Sequence, residues 1–227
     1  MPRWGMAIDL DRCNGCQGCE VACRSENNIA VAGPEAAKQN RTIFWIKVHT
    51  EIEGEWPSVR ARFVPQLCMH CDRPPCTAVC PVEATSLDRD GIVNQIYSRC
   101  IGCRYCANAC PYTVKYFNWK RPSYPESVVP SLNPDVSVRP VGVIEKCTFC
   151  HHRLQKARDV ARAEDRPLRE GDYTPACAEA CPTRAIVFGD LDDPAQRVAQ
   201  LSRGPRAFRL GEELGTEPKV YYLAKQD

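Results

Sequence analysis

The sequence predicts an α+β fold of short β-hairpins, small helices and long irregular connections built around four cysteine-rich groups. Three observations carry that reading. Cysteine is heavily over-represented, with 16 in 227 residues against 3 Met and 6 Phe. The cysteines fall into groups of four with none left over. Proline is frequent too, at 19, and favours loops over long helices because it lacks an N–H and clashes with the preceding turn. Hydrophobic residues at 44% and charged residues at 26% are ordinary for a folded chain. A chain of this length buries a core without covalent staples, so the cysteines need another reason.

Their spacing supplies it. Cys13, Cys16, Cys19 and Cys23 read C-x2-C-x2-C-x3-C, and Cys68, Cys71, Cys76 and Cys80 read C-x2-C-x4-C-x3-C-P. Cys100, Cys103, Cys106 and Cys110 repeat the first pattern with a following Pro, and Cys147-x2-Cys150 is completed after a gap by Cys177-x3-Cys181-Pro182. This is bacterial-ferredoxin spacing, in which three thiolates hold one 4Fe-4S cluster and the fourth reaches the other cluster of a pair. Pro81, Pro111 and Pro182 end the local turn, whereas the first group carries Arg24 there. Structural zinc uses C-x2-C knuckles separated by longer loops. Disulfides would close many tiny strained rings, and an unligated, redox-sensing group would stand apart from the rest. A 3Fe-4S centre would be expected where a ligand is missing, and none is. The expectation is four 4Fe-4S clusters.

Each ferredoxin-like module needs two groups that exchange their fourth cysteines. The second and third groups are joined by Ala84–Leu87, the turn Asp88-Arg89-Asp90-Gly91, and Ile92–Asn94, which read as a β-hairpin. One module then holds Cys68, Cys71, Cys76 with Cys110, and Cys100, Cys103, Cys106 with Cys80. The first and fourth groups are left for each other, giving Cys13, Cys16, Cys19 with Cys181, and Cys147, Cys150, Cys177 with Cys23. Sequential pairing, first with second and third with fourth, satisfies the same counts, and spacing favours nesting only through the hairpin. Nesting divides the chain into an outer module (1–24 plus 141–190), an inserted hairpin region (25–66), an inner module (67–118), a Pro-rich connection (119–140), and a C-terminal helix and docking tail (191–227).

Short apolar strands feed the groups at Met6–Asp9, Gly91–Asn94 and Gly142–Glu145, and leave them at Ala84–Leu87, Thr113–Phe117 and Arg184–Phe188. Gly15, Gly18 and Gly102 keep backbone N–H groups near the cluster sulfurs. Alternation predicts a strand over Arg41–His49, a turn at Gly54 and a return over Ser58–Val64. Five prolines make 119–140 extended and irregular. His151–Ala163 reads as a helix with Leu154, Ala157, Val160 and Ala161 on one side. A second helix runs from Ala195 to about Ser202, after Asp193-Pro194. Lys219–Leu223 reads as an edge strand or docking tail.

His49, His70, His151 and His152 face sets already filled by cysteine, so their expected roles are at the surface or behind the ligands, with His70 placed to tune a potential. Trp4, Trp45, Trp56 and Trp119 read as packing or interface residues. No nucleophile–base pair, phosphate loop or flavin fingerprint is present, and no basic, aromatic-interleaved stripe suggests nucleic acid. A chain of one-electron centres without a substrate site is a wire, non-catalytic in itself. The formal charge is +2, and four all-thiolate centres of about −2 each bring it to about −6. Arg12, Arg24, Arg73, Arg99, Arg104, Lys146 and Arg184 offset part of that charge. No apolar run spans a bilayer, and the first ten residues lack a signal-type core. The expected location is peripheral on the membrane within a complex, at the cytoplasmic face, or at the periplasmic face if a partner carries the chain across.

Several strings resemble a known family: Ile8–Cys16, Cys68-Met69-His70-Cys71-Asp72-Arg73-Pro74-Pro75-Cys76, Cys100–Cys106 with Ala109-Cys110-Pro111-Tyr112, and Glu145-Lys146-Cys147-Thr148-Phe149-Cys150. The chain resembles, over nearly its whole length, the four-cluster iron–sulfur subunits of molybdopterin oxidoreductases of the dimethyl-sulfoxide and polysulfide reductase type. Asn133-Pro134-Asp135-Val136 and Leu214–Leu223 look most like subunits handling sulfite or other sulfur oxyanions, and like the ferredoxin-type part of alternative complex III. The resemblance implies nested pairing and four 4Fe-4S centres. It implies a molybdenum- or tungsten-pterin catalytic subunit at the outer module and a polytopic quinone-reactive membrane subunit at the inner one. For the catalytic partner it leaves sulfite first, then polysulfide, tetrathionate or arsenate. A quinol-oxidising complex without molybdenum, or an assembly module whose clusters are not redox-active, are the other readings.

Overall fold

The structure, a computed structural model, describes residues 2–226. In chain order it forms β1 (Trp4–Asp9), α1 (Gly18–Glu26), α2 (Pro34–Lys38), β2 (Ile46–Glu53), β3 (Arg60–Leu67), α3 (Pro75–Ala78), β4 (Thr85–Leu87), β5 (Val93–Gln95), α4 (Tyr105–Asn108) and β6 (Tyr116–Phe117). There follow β7 (Ile144–Glu145), α5 (His151–Ala163), α6 (Ala176–Glu179), β8 (Ile186–Asp190), α7 (Arg197–Ser202), β9 (Ala207–Phe208) and β10 (Val220–Leu223).

A four-stranded sheet in the order β8-β1-β10-β9 joins the two ends of the chain. β1 runs antiparallel to β8, with Ile8 opposite Ile186, and parallel to β10, with Met6 opposite Val220. Val220–Leu223 therefore lies between two strands and is neither an edge nor a free tail, which corrects the sequence expectation. The reason is burial on both faces: Val220, Tyr222 and Leu223 are all buried, and the Tyr222 hydroxyl donates to the Pro65 carbonyl at 2.8 Å. α7 packs across β1 and β8, with Val198 in one small core with Ala7 and Leu191.

β4 and β5 form the expected hairpin, paired Thr85 to Gln95 and Leu87 to Val93. Asp88 organises its turn by accepting the N–H groups of Asp90 and Ile92. The inserted hairpin is real but shifted: β2 and β3 pair from Ile46–Leu67 out to Glu53–Arg60, so Arg41–Phe44 are not strand. Those residues are held instead by Arg24, which donates to the Ile43 carbonyl at 3.0 Å and lies over the Phe44 ring.

The fourth cysteine of each group explains the helix lengths. Pro81, Pro111 and Pro182 limit α3, α4 and α6 to four residues each, while α1, with Arg24 in place of Pro, runs for nine. α5 occupies its predicted span and buries Leu154, Ala157 and Ala161. Val160 is exposed, because six residues from Leu154 it has rotated about 120° off the buried face. α7 starts at Arg197 rather than Ala195, because the backbone is still extended at Gln196 (φ −74°, ψ 142°), whose side-chain Oε1 accepts the Asp190 N–H at 2.7 Å. The 119–140 connection has no strand, as expected, and is moored to the end of α1: Asn28 Nδ2 donates to the Asn133 and Val136 carbonyls at 2.8 and 2.6 Å. No helix among the described residues is long and apolar enough to cross a membrane.

Candidate iron–sulfur sites

All 16 cysteines are free thiols, which removes the disulfide reading. Cys13, Cys16 and Cys181 all lie near enough to Cys19 for their charges to act on it, and burial with those neighbours pushes its thiol up to about 12. Cys23, at the far end of α1, faces Cys147, Cys150 and Cys177 instead, and burial holds it well above the usual thiol range. Cys71 is pushed up to about 12 by burial, with Cys68, Cys76 and Cys110 around it. Cys100 and Cys106 share a small core with Cys76, Val93 and Ile144, and α4 packs on α3, whose end leads into Cys80. Cys19, Cys177, Cys147 and Cys68 share one buried core, and Cys76 packs with Cys106 in a second.

The local backbone repeats with the cysteines. The residue before the second cysteine of each C-x2-C pair is left-handed: Gly15 at φ 74°, His70 at 44°, Gly102 at 71° and Phe149 at 53°. At Gly102 a side chain is also excluded by space, since a Cβ would lie 2.2 Å from the Gly142 carbonyl. Gly15 donates its N–H to Cys13. A second left-handed residue stands three after the cysteine of each Cys-Pro: Glu83, Thr113 and Arg184. That turn aims later N–H groups back at the sulfur, with Thr85 donating to Cys80 at 3.5 Å and Ala185 to Cys181 at 3.3 Å. Burial raises the Cys80 and Cys181 thiols, but these donors outweigh it and leave both lowered. Proline thus does more than end a turn. The first group, lacking it, uses a side chain: Asn27 Nδ2 points at the Cys23 and Cys150 sulfurs, 3.7 Å from each.

Sequence reasoning missed two further features. His70 and Phe149, which stand where the other two C-x2-C pairs have glycine, stack at 3.8 Å with an interplanar angle of 20°, so the second and fourth groups meet through their own loops. His70 Nδ1 accepts the Val93 N–H at 3.2 Å, and burial with Lys146, Lys219 and Lys115 nearby holds the ring's pKa well below the usual histidine range. Arg139, from the Pro-rich connection, is buried with Glu145 at 3.0 Å and stacks on Trp45. Of the tryptophans, Trp4 and Trp45 are core, while Trp56 and Trp119 are exposed.

These residues fit iron–sulfur clusters. Thiols raised by burial, as at Cys23 and Cys177, become thiolates when a cation sits among them, and N–H donors already face the sulfurs. Mononuclear zinc fits poorly: bonds of about 2.3 Å place all four sulfurs within about 3.8 Å of one another. Among the described residues the set of three metal-type ligand atoms lying within 4.8 Å of each other is Asp88, Asp90 and His151, and it contains no cysteine. That trio is structural. Asp90 is paired with Arg158, and Asp88 holds the hairpin turn.

Two 4Fe-4S dicluster domain models match, over residues 12–84 and 59–125. The chain is 51% identical over 230 residues to the menaquinone reductase iron–sulfur cluster-binding subunit of Nitratidesulfovibrio vulgaris, covering 99% of this chain and 90% of that one. It is 37% identical to the arsenate respiratory reductase iron–sulfur subunit of a Shewanella species, covering 97% and 96%. It is 37% identical to a subunit of the tetrathionate reductase of Salmonella typhimurium, covering 99% and 74%. The chain belongs to the family of 4Fe-4S electron-transfer subunits related to dimethyl-sulfoxide reductase. It is a non-catalytic iron–sulfur subunit, like the relatives it matches. The two matched windows overlap and take in different neighbours of the second group, so they leave the pairing of groups to be argued from geometry.

Proposed function

We propose that the chain carries four 4Fe-4S clusters and passes single electrons along them in one line. The ligand sets are Cys13, Cys16, Cys19 and Cys181; Cys23, Cys147, Cys150 and Cys177; Cys68, Cys71, Cys76 and Cys110; and Cys80, Cys100, Cys103 and Cys106. What carries the reading is the exposure along that series. Cys16 in the first set and Cys103 in the last are exposed, whereas Cys23, Cys147, Cys150, Cys177, Cys68, Cys71 and Cys76 between them are buried. A wire needs insulated middle centres and two open ends. When bound, the clusters supply the one-electron chemistry. The chain's own residues hold them, exclude water and aim N–H donors at the sulfurs.

We further propose a molybdopterin catalytic subunit at the outer end, acting on sulfite or another sulfur oxyanion, and a quinone-reactive membrane subunit at the inner end that holds the chain peripherally at the membrane's cytoplasmic face; the likeness to subunits of arsenate, tetrathionate and menaquinone reductases supports partners of these two kinds. The likeness to a menaquinone reductase subunit favours a second reading, in which the complex serves a quinone without molybdenum. Isolation of the native complex with metal analysis separates them. At least about sixteen iron atoms per copy of this chain, any iron of the partners included, with one molybdenum or tungsten supports the first reading. At least as many without either metal supports the second, and iron well below that number overturns the four-cluster wire.

A further inference from the structure

Four long cationic side chains are almost wholly buried: Lys115, Arg139, Lys146 and Lys219. Two have carboxylate partners, Arg139 with Glu145 and Lys219 with Asp72, each at 3.0 Å. Among the described residues the other two find only neutral acceptors. Lys115 Nζ donates to Thr85 Oγ1 at 3.1 Å and to Gln95 Oε1 at 3.4 Å. Lys146 Nζ donates to the Val93 carbonyl and, at 2.7 Å, to that of Cys147. An ammonium group taken out of water without an anion is strongly disfavoured, so these two call for a negative charge that no described side chain supplies.

Their positions say where it is. Both are moored on the β4–β5 hairpin. Lys115 lines one small cavity together with Cys68, Cys71, Cys76 and Cys110. Val93 lines the same cavity, and its carbonyl, with that of Cys147, holds the Lys146 ammonium. Both cations therefore stand at the Cys68, Cys71, Cys76, Cys110 site. We propose that Lys115 and Lys146 are the internal counter-cations of this site, and that they favour its reduced form by lowering the cost of the added electron. The proposal rests on the four-cluster reading and assigns these lysines a positioning role in energy, not a ligand role.

The test is a potentiometric titration, followed by electron paramagnetic resonance, of the iron-loaded protein in its complex. Wild type, Lys115→Met, Lys115→Arg and Lys146→Met are compared, with iron counted in each. Wild-type iron far below sixteen atoms per chain would defeat the four-cluster reading itself, separately from any difference among variants. With iron retained, Lys115→Met and Lys146→Met are expected to reduce the reduction equilibrium constant of one and the same centre at least tenfold, which is 59 mV for one electron. Lys115→Arg, keeping the charge, holds the wild-type value. Loss of that centre's iron in Lys115→Met but not in Lys115→Arg also supports a counter-cation. Superimposable titrations, effects on two unrelated centres, or equal damage from Lys115→Met and Lys115→Arg would each overturn it, the last by assigning Lys115 to packing.

Discussion

Replacing Arg139 with Met tests how the Pro-rich connection is tied to the cluster-bearing core. The guanidinium is 2% exposed and so is its partner Glu145, at 3.0 Å. It also donates to the Asn27 carbonyl at 2.5 Å and the Asn28 carbonyl at 2.6 Å, and its plane lies 5.0 Å from the Trp45 ring centroid. One side chain thus joins residue 139, the end of α1 and β7. Methionine fills much of the volume but leaves the Glu145 carboxylate buried without a cation. Breaking one side of a buried pair costs about 3–5 kcal/mol, and for a chain of this size each kcal/mol lowers the unfolding midpoint by about 2–4 °C. A fall of about 10 °C is expected on the iron-loaded chain, followed by far-ultraviolet circular dichroism and by cluster absorbance. Adding Glu145→Gln should recover part of the loss, because the stranded charge is gone. A single-mutant cost under about 1 kcal/mol, or strict additivity in the cycle, would refute the reasoning.

Three further outcomes are expected. Cys13→Ala and Cys181→Ala should each alter one and the same centre, losing between about one iron (a 3Fe-4S remnant) and about four, and the double variant should lose no more than about four; a second centre altered in the paramagnetic resonance spectrum, or a loss of more than about four irons, would refute their sharing one site and reopen sequential pairing. Gly102→Ala should destabilise more than Gly142→Ala: both sit at positive φ, 71° and 87°, but only at Gly102 does a Cβ meet backbone, at 2.2 Å, on top of the roughly 1–3 kcal/mol of conformational strain. Equal midpoints would show that the contact is relieved for nothing. Hydrogen bonding to Arg153 lowers Glu26 to about 2, with His152 adding to it. A folded-state value below the unfolded one of about 4.3 gives stability that is present above about pH 4.3 and lost as pH falls towards 2. The advantage of wild type over Glu26→Gln in denaturant midpoint should shrink across that window, and a constant gap would rule the ion pair out as its source.

Much of the candidate site was legible in the sequence, because ligand spacing within a group is a local property. Twelve of the sixteen cysteines lie in compact runs of at most 13 residues, and the Cys-Pro steps mark where helices stop. The β4–β5 hairpin and α5 were legible for the same reason, through a tight turn and a helical period. The inserted hairpin was legible in kind but not in register, since Arg41–Phe44 alternate well enough for a strand and only Arg24, nineteen residues away from Ile43, decides otherwise.

Other features were decided by tertiary structure alone. Nothing in Val220–Leu223 says whether an apolar segment ends as an edge or in the middle of a sheet. Its place beside β1 follows from burial against strands some two hundred residues away in the chain. The stacking of His70 on Phe149 needs two cysteine loops far apart in sequence to meet. So does the contrast between Lys219 and Arg139, which find carboxylates, and Lys115 and Lys146, which among the described residues find only neutral acceptors. The sequence determines which sulfurs can share a local turn, since that depends on backbone geometry over a few residues. Which buried charge lies beside which sulfur depends on packing between distant segments, and packing is where the electrostatics of an electron-transfer chain are set.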